Sequence, residues 1–81
     1  EAFNQTIALA VLETYYSEIG SLDKDGVLAS LEAKAERTAR DFPEYLDSVR
    51  SFRAEYTDEA RTSAEVSIVY QTGEEFSFDV Q

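Results

Sequence analysis

The chain has 81 residues, neither cysteine nor histidine, and a formal net charge of −10 at pH 7. That length makes one small globular domain, residues 1–81, and no disulfide or thiolate metal site can staple it. Such an excess of acid disfavours direct nucleic-acid binding, which needs a basic footprint, and anionic membrane surfaces repel it.

A first helix is expected over about residues 3–19. Ile7, Val11 and Tyr15 form one i+4 row, and Ala8, Leu12, Tyr16 and Ile19 form the next. Together they make an apolar stripe wide enough for a central core helix, with Gly20 placed for a left-handed stop. The longest apolar run, Ile7–Leu12, is far short of a membrane span and lacks the flanks of a secretory signal. A chain without cysteine fits a reducing compartment, so the expected location is cytoplasmic.

A second helix begins within "SLDKDG" and runs to about Arg40, with Leu28, Leu31, Ala35, Ala39 and Phe42 on its core side. Ser21, Asp23 and Asp25 suit its N-terminus as caps or as charges facing the positive end of the dipole. Glu36 and Arg40 form an i,i+4 pair on the outer side. "DFPE" ends this helix, because a residue before proline leaves the helical region. Pro43 then opens a third helix presenting Tyr45, Leu46, Val49, Phe52 and Tyr56 on one side, with Asp47 and Arg50 paired on its surface and fraying near Arg61.

The last stretch, "EVSIVYQTGEEFSFDVQ", reads as a β-hairpin whose register depends on loop length. A two-residue turn mixes apolar and polar residues on each face. A three-residue loop, Gln71–Thr72–Gly73, pairs Ala64 with Val80, Val66 with Phe78 and Ile68 with Phe76, and puts glycine where a left-handed residue is needed. One face then carries Ala64, Val66, Ile68, Tyr70, Phe76, Phe78 and Val80. The other carries Glu65, Ser67, Val69, Gln71, Glu75, Ser77 and Asp79. The expected fold class is α+β: three amphipathic helices followed by a C-terminal antiparallel β-hairpin packed on them.

Catalytic templates fail on inventory. Without histidine or cysteine there is no Ser-His-Asp triad, thiol nucleophile or ordinary zinc site. Ser30 and Lys34 stand four residues apart, but nothing beside them suggests an oxyanion hole, and they read as an exposed helix pair. No enzyme and no cofactor are expected.

The segment "SLDKDGVLASLE", Ser21–Glu32, resembles an EF-hand calcium loop. Asp23, Asp25, Gly26, Leu28 and Glu32 fall on loop positions three, five, six, eight and twelve. Ser21 at position one and Ala29 at position nine depart from the pattern, so the resemblance implies weak binding, with Asp23, Asp25 and Glu32 as the ligands. The other reading of the same residues is a capped helix start. "VLETYYSEIGSLDKDGVLASL" also resembles the opening of nuclear transport factor-like domains. Those need a large curved sheet, so no function is carried over from them.

Charge is uneven along the chain. Residues 1–22 have three acids and no base, and residues 63–81 have four acids and no base. The middle is nearly balanced. Glu65, Glu75 and Asp79 on the polar hairpin face, Glu74 at its turn and Val69 among them are the expected contacts for a protein partner with a basic surface. Asp58 and Glu59 approach that hairpin in sequence. An immunity- or inhibitor-type protein is the concrete form of this expectation. A structural or oligomerisation domain, paired with a second copy through the hairpin edge, is the remaining class.

Overall fold

Phe3, Ile7, Val11 and Tyr15 are the buried row of the first helix, α1 (Ala2–Glu18), in a computed structural model that describes residues 2–81. One face of a helix repeats every three or four residues, and this row lies against the rest of the core. The neighbouring row is not buried with it. Ala8 and Leu12 are half-buried, while Tyr16 and Ile19 are exposed. The helix therefore covers the core from one side and does not run through its centre as expected. Gly20 is not left-handed either: among the described glycines only Gly73 has a positive φ. The chain turns instead on a Ser21 N–H to Glu18 carbonyl bond of 2.9 Å.

The second helix, α2 (Lys24–Ala39), starts on a side-chain cap. The Asp23 carboxylate accepts from the Gly26 N–H at 3.0 Å, satisfying one of the orphan donors of the first turn. A Cβ at position 26 would lie 2.3 Å from that carboxylate, so glycine there is a condition of the cap. Val27, Leu31, Ala35 and Ala39 are buried, one residue out of the expected phase at the start, with Leu28 half-buried. Alanines on the inner side let α1 and α2 approach closely.

Pro43 does open a helix, but α3 (Pro43–Leu46) lasts one turn. The expected third helix through Tyr56 is replaced by a strand, β1 (Val49–Tyr56). Val49, Phe52 and Tyr56 satisfy a helical spacing, yet Phe52, Ala54 and Tyr56 also alternate as a strand requires. The environment decides between the two. The strand β2 (Ala64–Tyr70) has Ala64, Val66, Ser67, Ile68 and Val69 all buried, the pattern of a central strand, and it needs a neighbour on each side. A two-stranded sheet is marginal, and β1 supplies the third strand.

The fold is α+β: helices first, then an antiparallel sheet in the order β1-β2-β3, with β3 spanning Glu75–Val80. Residues Ser51 to Tyr56 pair with Val69 to Ala64, and a bulge between Val49 and Ser51 leaves Arg50 as the extra residue. The Arg50 guanidinium donates to the Gln71 carbonyl at 3.0 Å across that irregularity. Between β2 and β3 the three-residue loop holds: Ala64, Val66 and Ile68 face Val80, Phe78 and Phe76. Gly73 has φ of 93°, its N–H donates to the Tyr70 carbonyl at 2.9 Å, and the Tyr70 N–H donates to the Glu74 carbonyl at 2.8 Å. That is a turn followed by a left-handed bulge residue.

Both helices lie on the apolar face of the sheet, α2 over β1 and α1 over β3. Three tyrosine hydroxyls help to pin them there. The Tyr56 hydroxyl donates to the Lys24 carbonyl at 2.8 Å, the Tyr70 hydroxyl to Asn4 Oδ1 at 2.6 Å, and the Tyr15 hydroxyl to the Thr62 carbonyl. Burial raises the Tyr15 phenol above its ordinary value of 10.0, with Asp58 adding to the effect, and burial likewise raises Tyr56.

Candidate protein-binding face

With the helices on one side, the other face of the sheet is left uncovered. Strand alternation places Ser51, Arg53 and Glu55 of β1, Val69, Ser67 and Glu65 of β2, and Glu75, Ser77 and Asp79 of β3 on it. The register arranges these nine residues in three cross-strand rows.

At the turn end, Ser51, Val69 and Glu75 are opposite one another. Val69 is only 9% exposed, on the central strand between Ser51 and Glu75. It therefore offers little surface, although the sequence marked it as a contact. In the middle row the Ser67 and Ser77 hydroxyls are 2.9 Å apart, which satisfies the buried Ser67 between Arg53 and Ser77. Arg53 also reaches diagonally to Glu75, 3.9 Å between charged atoms, with both side chains well exposed. An exposed pair at that distance contributes little to stability.

The third row is chemically distinct. Glu55 is opposite Glu65, and Glu65 is opposite Asp79. Directly opposed residues are about 5.5 Å apart at Cα in a hydrogen-bonded pair and about 4.5 Å in a non-hydrogen-bonded one. Among the described residues no cation forms an ion pair with these three carboxylates; the two pairs present are Arg40–Glu36 and Arg53–Glu75. Like charges directly opposite on a sheet are destabilising, so this row works against folding.

The loop joining β1 to β2 lies at the same end of the sheet. Asp58 organises it, accepting from the Thr62 N–H at 2.9 Å, from the Ser63 N–H at 3.2 Å and from the Thr62 hydroxyl. The Thr62 hydroxyl is the chief reason the Asp58 carboxyl sits below its ordinary value, with the two backbone donors adding to it. Asp58 is thus a loop-forming group held ionised beside the acidic row.

Of the expected contacts, Glu65, Glu75 and Asp79 share one face, and Glu74 sits exposed at the turn, within 3.4 Å of the Thr72 hydroxyl. Three residues of the face fall within the expected third helix: Ser51, Glu55, which completes the acidic row, and Arg53, which supplies a basic group the hairpin alone lacks. The alternation of charged and apolar residues in "RSFRAEY" was the available signal.

Asp23, Asp25 and Glu32 are not brought together. Asp23 caps α2, Asp25 lies in its first turn, and Glu32 faces the sheet, where its carboxylate accepts from the Ala54 N–H at 2.9 Å. A helix rises about 1.5 Å per residue, which puts Asp25 and Glu32 about two turns apart. Among the described residues no group of three or more metal-ligating side chains is gathered. No helix among the described residues is long and apolar enough to cross a membrane. No family model, no curated protein and no solved structure matches the chain.

Proposed function

We propose that this protein is a non-enzymatic binding module that takes a basic protein partner on the uncovered acidic face of its sheet. The observation that carries the proposal is the row Glu55–Glu65–Asp79. A sheet face needs polar side chains to stay soluble, but it does not need three like charges in register, which cost stability. A cationic partner surface converts that repulsion into attraction on binding, and clustered charge of one sign speeds encounter. With Glu75 the face carries four carboxylates against the single guanidinium of Arg53. An inhibitor- or immunity-type role, covering a basic surface of another protein, is the concrete form.

The proposal is tested with a short peptide rich in Lys and Arg, titrated against the parent chain and against the set Glu55→Gln, Glu65→Gln, Asp79→Asn. The variant remains folded, and its affinity drops about tenfold or more while the salt dependence flattens. Equal binding by parent and folded variant, or no binding by the parent, overturns the proposal.

A further inference from the structure

The sheet has two edges, and the molecule treats them differently. On β1 the outward-facing backbone belongs to Phe52, Ala54 and Tyr56, since the alternate residues bond to β2. The Glu32 carboxylate occupies the middle donor of that edge, Ala54 N–H. On β3 the Tyr70–Glu74 bond sets the alternation, so the backbone groups of Phe76, Phe78 and Val80 are the ones that bond to β2. The backbone groups of Glu75, Ser77 and Asp79 therefore point outward, and among the described residues no side chain hydrogen-bonds to them.

Beside this open edge lies apolar surface. Phe76 and Phe78, on the helix-facing side of β3, are only half-buried, with ring centroids 5.9 Å apart. Phe3 meets Phe42, which follows α2, whereas Asn4 and Tyr15 bond to the sheet and its loop. Residues turn by about 100° each around a helix, which puts Leu12 and then Tyr16 and Leu9 on the flank of α1 turned away from α2, beyond β3. Leu9 is 65% exposed and Tyr16 56%. A strand laid along β3 would pair the open backbone groups and cover both phenylalanines.

Charge selects the occupant. If a second copy added its own β3 antiparallel about Ser77, Glu75 of each copy would face Asp79 of the other, and like charges directly opposite repel. A segment of opposite charge meets no such barrier. Resting on the basic-partner reading above, we propose that the outer edge of β3 takes an extended segment of a basic protein as a fourth strand. Lys or Arg at alternate positions face Glu75 and Asp79, and the apolar residues between them cover Phe76 and Phe78.

The test uses short synthetic peptides and amide-resolved NMR on the 81-residue chain. The first peptide alternates Val and Lys, and the second has the same composition with its lysines in one block. Two more are alternating peptides N-methylated on the lysines, whose amides would face β3, or on the valines, whose amides would face away. The alternating and valine-methylated peptides bind and slow exchange at the Glu75, Ser77 and Asp79 amides about tenfold, while the lysine-methylated and block peptides bind about tenfold more weakly. If all four bind alike and those amides stay unprotected, charge alone holds the peptide: the edge proposal falls and the acidic-face reading survives. If none binds, both fall. Protection of the same amides that grows with protein concentration alone would assign the edge to a second copy and overturn the proposal.

Discussion

Neutralising Glu65 should make this protein more stable. Glu65 stands between Glu55 and Asp79 in direct register, so its charge takes part in two repulsive contacts, whereas each outer residue takes part in one. At about 5 Å in water-like surroundings each contact is worth about 0.8 kcal/mol, and 0.1 M salt, with a Debye length of about 10 Å, reduces that to about 0.5. Glu65→Gln, which keeps the shape and removes the charge, should therefore gain about 1 kcal/mol, or a rise in Tm of about 5 °C for a chain of this size. Glu55→Gln and Asp79→Asn should each gain about half as much. Because the contacts are shared, adding either outer change to Glu65→Gln should contribute almost nothing, while the two outer changes together should be additive.

The assay is urea and thermal unfolding followed by circular dichroism at 0.1 M and 1 M salt. At about 1 M the Debye length falls to about 3 Å, and the gain should shrink to about a third or less. If Glu65→Gln is no more stable than the parent at low salt, or if its gain is the same at both salt concentrations, the row is not repulsive in the folded state. The proposed binding role then loses its basis as well.

Removing the cap on the β1 edge should show in exchange before it shows in stability. Glu32→Ala leaves the Ala54 N–H to water, so that amide should exchange about tenfold faster at a stability cost of about 1 kcal/mol; an unchanged Ala54 rate would mean the carboxylate does not guard the edge. Alkali should unfold the protein through its buried phenols. Tyr15 and Tyr56 have folded-state values raised above 10.0, so the unfolded chain ionises first as pH climbs. Their contribution is complete below about pH 10 and is lost as pH rises through the folded values. Tyr15→Phe, compared with the parent by urea unfolding at pH 8 and above pH 10, should lose stability at the lower pH yet decline less between the two.

The hairpin was the most legible part of the chain, because its register rests on a local rule. An odd loop was the only way to put Val66, Ile68, Phe76 and Phe78 on one side, and Gly73 met the conformational demand of that loop. The start of α2 was legible for a similar reason, with Asp23 and Gly26 acting within one turn. The segment 49–56 was not. Val49, Phe52 and Tyr56 fit a helix as well as a strand, and what chooses between them is a long-range pairing with β2 that no local spacing records. The sequence sign of that neighbour is the apolar run of β2, which is buried on both faces, since a strand as apolar as "AEVSIVY" is seldom an edge.

That one misplaced strand changes the argument about function more than it changes the fold class. Viewed as a hairpin alone, the polar face had an acid surplus and an apolar contact in Val69. The third strand buries Val69 and brings Arg53 beside Glu75, so the turn end of the face is neither apolar nor strongly acidic. At the other end it adds Glu55 to Glu65 and Asp79, concentrating the uncompensated charge in one row. Solubility would be met as well by a mixed row, and a sheet edge is guarded as well by one charge as by a line of them. A row that folding would do better without is where a requirement other than folding is to be sought, and a cationic partner, as proposed, is one that its charge would suit.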